Sequence, residues 1–213
     1  MSTSARTPAL RAVPASPLAG TRHRPLPIPS VRFVGGDGRV EIRAEGDVVP
    51  GTELSVRIPG WSPRPTVVGS DGARGRDGDG YARVPLEPGA RYVLDFDLTP
   101  RLTTAHHRVD ALRAAVAAAR GPVVYCVEQA DLDAPLDVDD LAVLPVAITV
   151  GERDTLVLRC RVINAADGLY GPETATELGD ERTVTAIPFS TWGNRAPGPM
   201  RVWLPRVPRQ GLH

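Results

Sequence analysis

Apolar and polar residues alternate along most of this chain. In RVEIRAEG (39–46), Val40, Ile42 and Ala44 fall on one side and Glu41 and Arg43 on the other. In ELSVRIPGW (53–61), Leu54, Val56 and Ile58 alternate with Ser55 and Arg57. Tyr92, Leu94, Phe96 and Leu98 oppose Asp95 and Asp97 in RYVLDFDL (91–98). Leu156, Leu158, Cys160 and Val162 oppose Arg159 and Arg161 in DTLVLRCRVIN (154–164). A one-sided period of two predicts antiparallel strands with one packed face and one wet face. Between the strands, VGGDGRV (34–40), GRDGDGYARV (75–84) and LEPGARY (86–92) supply Gly-Asp, Asp-Gly and Pro-Gly steps, the chemistry of tight turns. DGDG at 77–80 lacks the remaining ligands and the closing Glu of a calcium loop, so it reads as a hairpin turn.

Some segments depart from this pattern. RVDALRAAVAAARGP (108–122) is Ala-rich, with Val109, Leu112 and Val116 at helical spacing and a Gly121-Pro122 stop. Leu112, Ala114, Val116 and Ala118 also alternate, so these residues fit helix and strand alike. LDAPLDVDDLAVLP (132–145) reads as an acidic loop feeding a short strand at 141–144. Residues 164–183 read as one long loop. Residues 1–30, rich in Pro, Ser, Ala and Arg, read as a disordered leader without the apolar segment of a signal peptide. MRVWLPRVPRQGLH (200–213) holds one last strand and a tail that frays from 209. The composite is all-β, with a natural break at LTPRLTTA near residues 99–104.

Composition narrows the function classes. The 22 prolines and 21 glycines disfavour long helices. Lys+Arg and Asp+Glu are both 25, so the basic excess of a nucleic-acid binder is missing. Every Lys/Arg cation is arginine, a bias that fits a GC-rich bacterial coding sequence. No apolar stretch reaches the length of a membrane span. Two cysteines, Cys126 and Cys160, are too few for a disulfide framework. Neither they nor His23, His106, His107 and His213 make a zinc pattern. No metal or other cofactor is expected, and the default location is cytoplasmic.

Candidate chemistry concentrates in two stretches. GPVVYCVEQAD (121–131) puts Cys126 two residues before Glu128, which could serve as thiol nucleophile and acid–base. A reactive thiol needs a cation, a helix N-terminus or a metal to lower its pKa, and β-branched neighbours argue instead for a buried plug. Glu128 ends the strand and can cap a loop. Asp131 and Asp133 follow it, but glycoside hydrolysis needs a second carboxylate about 5–10 Å away across a cleft. TWGNRAPGPMRVW (191–203) combines Trp192, Asn194, Arg195 and Trp203, flat faces beside polar forks, the mixture that binds sugars. The plainer reading has Trp192 in the core, with Asn194 and Arg195 fixing the loop before the last strand. Trp61, after Pro59-Gly60, is either a further ligand contact or a core aromatic at a strand end.

LSVRIPGW (54–61), RGPVVYCVEQAD (120–131) and IPFSTWGNRAPGPMRVWLP (187–205), in this order and spacing, resemble the C-terminal β-sandwich region of glycoside hydrolase family 127, the β-L-arabinofuranosidase family. The resemblance covers roughly residues 35–205 and implies two small antiparallel, jelly-roll-like β-sandwich domains in tandem. Their expected extents are 31–100 and 101–208. It also implies that 108–120 is a strand. Family members carry their chemistry in an (α/α)₆ barrel, where three cysteines and a glutamate hold zinc, one of those cysteines is the nucleophile and a second glutamate is the acid–base. None of those residues maps onto this sequence, and Cys126 does not correspond to the nucleophile. The expectation is a non-catalytic accessory region with no activity alone. Its expected partners are a barrel-containing protein or a second copy, not nucleic acid or membrane. The alternatives are a module binding an arabinose-containing glycan through Trp192, Asn194, Arg195 and Trp61, and an enzyme with a site of its own.

Overall fold

The alternating segments are strands in the computed structural model, which describes residues 10–14, 30–33, 38–44, 48–62, 66–69, 72–74, 80–146, 148–164 and 177–208. The chain divides into two compact units, Met1–Leu98 and Thr99–His213. The first holds β1 (Leu10–Pro14), β2 (Ser30–Phe33), β3 (Arg39–Arg43), β4 (Thr52–Arg57), β5 (Thr66–Gly69), β6 (Gly72–Arg74), β7 (Tyr81–Pro85) and β8 (Arg91–Asp95). Two antiparallel sheets, in the orders β1-β4-β7 and β2-β3-β8-β5-β6, are its layers. Val40, Ile42, Leu54, Val56, Val84, Tyr92 and Leu94, drawn from both sheets, form the core. The Tyr92 hydroxyl donates to the Pro85 carbonyl, so its polar end is satisfied inside. The β7–β8 turn closes with Ala90 N–H donating to Glu87 O at 3.0 Å. Gly89 takes φ 74 there, a value that Gly adopts without the Cβ penalty.

Two expectations change in this unit. Residues 10–14, expected within a disordered leader, are strand β1, paired over five residues with β4. The edge of β4 offers a row of free backbone N–H and C=O groups, and any extended segment can fill them. Glu41, on the expected wet face, is buried because Arg43 (2.5 Å) and Arg91 (2.8 Å) close over its carboxylate. The two arginines hold its pKa below the ordinary carboxylate range, Arg43 foremost.

The second unit holds β9 (Arg101–Thr104), β10 (Ala115–Arg120), β11 (Val123–Glu128), β12 (Leu141–Val143), β13 (Thr149–Val150), β14 (Leu156–Asn164), β15 (Glu177–Pro188), β16 (Met200–Arg201) and β17 (Trp203–Pro205). The sheet runs β12-β14-β15-β11-β10-β17, with β13 on β14, β16 on β11 and β9 on β10. After β17 the chain returns to β12: Arg206 bridges Val143, and Val207 N–H donates to Val143 O at 2.9 Å. The two ends of the sheet thus meet, which removes an exposed edge. Val116, Tyr125, Val127, Leu141, Leu156, Leu158, Cys160, Val184 and Leu204 build the core.

The ambiguous segment is strand only from Ala115, and Asp110–Leu112 forms a single 3₁₀ turn. Val116, Ala117, Ala118 and Ala119 are all buried, so tertiary burial on both faces overrides the helix propensity of alanine. The expected loop at 164–183 is shorter than its sequence suggests, because Glu177–Thr183 belongs to β15. That stretch is mostly exposed and charged, so it lacks an apolar alternation; the Arg159–Glu181 pair ties it across to β14. The terminal segment has two short strands, Met200–Arg201 and Trp203–Pro205, where one was expected. The proposed turns at 35–37 and 75–79, most of the leader, residues 165–176 and the tail from 209 lie outside the described residues.

Candidate functional site

The candidate residues of the second unit converge at the end of β11. β15 pairs with β11 through Tyr125↔Pro188 and Cys126↔Ile187. The chain then turns through a 3₁₀ turn at Phe189–Thr191, loops out, and returns as β16 through Val127↔Arg201 and Glu128↔Met200. Residues 189–199 are therefore a loop clamped at both ends onto one strand. Past β11, a 3₁₀ turn at Gln129–Asp131 swings Asp131 beneath that loop. The Gln129 backbone N–H donates to Pro199 O at 3.0 Å. Its side-chain amide bonds Leu136 O and Val138 N at 2.8 and 2.9 Å.

Glu128 is the buried centre of this arrangement, only 3% exposed. One carboxylate oxygen accepts the Gly193 backbone N–H at 2.7 Å, and the other accepts from Arg195 Nη2. The same guanidinium reaches both oxygens of Asp131 at 2.6 Å. Asp131, then Glu128, keeps Arg195 charged by raising its pKa. Gly193 adopts φ 74, which presents its N–H to Glu128. This is a charge-assisted lock that fixes the loop, and its carboxylates are engaged by one cation. A hydrolytic pair needs two carboxyl groups separated by room for a sugar or a water. Asp133 is exposed and stands outside the lock.

Cys126 is buried in strand β11, adjacent to Tyr125 and Val127, which pack into the core. Burial foremost, then the charges of Glu128 and Asp131, pushes its thiol up to about 11. Cys160, in the core, is pushed up to about 12 by burial. A thiol nucleophile needs the opposite shift. Sequence spacing brought Cys126 and Glu128 together correctly, but Glu128 raises the thiol pKa where an activating partner would lower it.

The sugar-binding candidates separate. Arg195 is held by the lock. Trp192, for which the plainer reading was a core position, stands 46% exposed and stacks on Phe189 at 6.2 Å between ring centroids and 9° between planes. The lock ties the loop at Gly193 and Arg195 to Glu128, and Trp192 beside it faces outward. Asn194 is exposed, with its backbone N–H donating to Thr191 O at 3.3 Å. Trp61 belongs to the first unit, where it is partly buried and tilts against Phe96 at 5.5 Å. Phe189 was missed: its spacing of three from Trp192, from the first residue of the 3₁₀ turn to the one after it, was the available signal. Among the described residues no three His, Cys, Asp or Glu side chains group as metal ligands, and no helix is long and apolar enough to cross a membrane.

Residues 100–205 match the family model described as the glycoside hydrolase family 127 C-terminal domain. Over 168 residues, 70% of this chain, the sequence is 30% identical to a non-reducing end beta-L-arabinofuranosidase of Bifidobacterium longum subsp. longum. A solved glycoside hydrolase shares the fold with a TM-score of 0.69 at 24% identity, covering 81% of this chain and 31% of that one. A family 127 beta-L-arabinofuranosidase from Geobacillus stearothermophilus T6 gives 0.59 at 23% identity, covering 85% and 33%. The chain spans only 25% of the length of the curated relative it matches.

Proposed function

Because residues 100–205 belong to the C-terminal domain of glycoside hydrolase family 127, we propose that the chain acts as the accessory β-sandwich region of such a hydrolase, supporting or assembling with a catalytic domain. The family match carries the reading. The geometry favours it, since the acidic residues best placed for hydrolysis are engaged in fixing a loop, and both thiols are held protonated. In this reading residues 31–100 are a middle domain and 101–208 a C-terminal domain. Two buried free cysteines suit a reducing, cytoplasmic setting, and the bacterial source of the relative suits a bacterial origin.

The test is assembly. A family 127 catalytic domain expressed without its own sandwich region should co-elute with this chain in size-exclusion chromatography and melt at a higher temperature in its presence. Separate elution with an unchanged melting temperature would remove the supporting role.

The stacked Phe189 and Trp192 pair favours a second reading, a platform for an arabinose-containing glycan, with Asn194 as its polar contact. Tryptophan emission titrated with arabino-oligosaccharides should shift in this case. An unchanged spectrum at millimolar sugar would leave the supporting role alone.

A further inference from the structure

A second feature of this unit lies away from the lock. The 3₁₀ turn at Asp110–Leu112, the start of β10 and strands β16 and β17 enclose an open groove of about 550 Å³. That lies inside the range of small-ligand sites, roughly 300–1,000 Å³. Its walls include Arg113, Ala114, Asp139, Arg201, Trp203 and Arg206. Leu204 turns into the core, so strand alternation turns its neighbours Trp203 and Pro205 to the opposite, groove-lining face.

The arginines of the groove are unequally engaged. The lining holds Arg113, Arg201 and Arg206 with Asp139, while Asp110 stands beside Arg113 and the charge of Asp137 acts on Arg201. Asp139 is taken by Arg201, with Nη2 to Oδ2 at 2.8 Å and a second bond from Nε. Arg113 pairs at 2.5 Å with Asp110. The Arg206 guanidinium has no ion-pair or hydrogen-bond partner among the described residues. Its backbone, in contrast, is fixed: Arg206 N–H donates to Ala114 O at 2.8 Å. Ala114 sits at φ 56, a conformation that L side chains rarely adopt and that persists where the surroundings hold it. The groove therefore combines an aromatic residue with an anchored arginine whose fork is unused.

We propose that this groove binds a carboxylate-bearing sugar, with Trp203 against the ring and the Arg206 fork on the carboxylate. A planar guanidinium matches a carboxylate by two parallel hydrogen bonds, and a Trp face suits the apolar face of a sugar ring. The sugar part of the proposal rests on the family 127 reading, while the acid part rests on the groove alone. It differs from the Trp192 platform in place and in ligand charge.

The experiment is a calorimetric titration of the full chain with oligomers of D-galacturonate, with the neutral methyl esters of the same oligomers as control. The acid should bind at least about tenfold more tightly than the ester, the scale of one charge-assisted hydrogen-bonded contact. Arg206→Ala should lose about as much with an unchanged melting temperature, and Arg206→Lys should recover only part, because it restores charge without the fork. Trp203→Phe should weaken binding without abolishing it. No binding at millimolar acid, equal binding of the ester, or full binding by Arg206→Ala would each overturn the proposal. Equal competition by inorganic sulfate would reduce the groove to a simple anion site and overturn the sugar assignment. Stronger binding of an acidic peptide would reassign the groove to a protein partner. The co-elution test above does not depend on Arg206, so either proposal can fail while the other stands.

Discussion

The lock at Glu128 and the groove at Trp203 occupy the same unit and use the same residue types, but their charges are arranged oppositely. At the lock, two carboxylates, one arginine and the Gly193 backbone N–H satisfy one another around the buried Glu128 side chain. At the groove, Arg201 pairs with Asp139 and Arg113 with Asp110, and the Arg206 guanidinium is left over. The lock resembles an active site in sequence because Cys126, Glu128 and Asp131 are crowded together. The groove has no such motif. Crowding of reactive residue types marks the first, whereas unused bonding capacity marks the second, and only unused capacity can act on a ligand.

The comparison breaks first at Glu128. Replacing it with Ala leaves the Gly193 N–H without its acceptor and removes one partner of Arg195. We expect a loss of about 2–3 kcal/mol of unfolding free energy in urea titration, with the loop at 189–199 becoming protease-sensitive. A loss below the scatter of the titration would mean that the cluster fixes nothing. Gly193→Ala comes next. A Cβ there meets open space, so the cost is that of the left-handed backbone alone, about 1–2 kcal/mol. A neutral result would show that the loop does not need φ 74.

Smaller effects sharpen the groove side. Arg201 holds Asp139 below the ordinary carboxylate pKa of 3.8, so the folded value is depressed. Its stabilisation is full above the unfolded value and is lost as pH falls through the lowered folded value. The pair is half-exposed, so its worth is about 0.2–1 kcal/mol. Arg201→Ala should abolish that part of the acid-side slope, and a slope identical to the parent would contradict the pairing. Smallest of all, Arg206→Ala should alter stability by less than about 0.5 kcal/mol, because its guanidinium contributes nothing to the fold. A large loss would show that Arg206 is structural and has no spare capacity.

The fold was legible where burial is one-sided. Leu54, Val56 and Ile58, or Leu156, Leu158 and Cys160, declare their strands by alternation. It was illegible where burial is two-sided or absent. Ala117 and Ala119 are buried along with Val116 and Ala118, so β10 has no wet face to set a polar alternation and its residues fit helix and strand alike. Glu177–Thr183 is strand with almost no burial, because β14 supplies backbone pairing and opposite charge. Leu10–Pro14 is strand because β4 has an edge to fill.

The lock was half legible. A carboxylate closing an apolar strand announces a loop cap, as Glu128 proves to be. Its partner Arg195 lies 67 positions on, and no local rule links the two. Trp192 showed the opposite problem. Its residue type suggested a core position, but the lock and Phe189 hold it at the surface. The groove depends on the return of the chain from β17 to β12, a long-range contact without a sequence motif.

The central claim is that the chain supports a family 127 hydrolase without performing its chemistry. The most direct measurement is the turnover of an aryl β-L-arabinofuranoside by the purified chain at neutral pH. We predict aglycone release no faster than in buffer. Release well above buffer would contradict the claim, and its loss or survival in Cys126→Ala would say whether that thiol takes part.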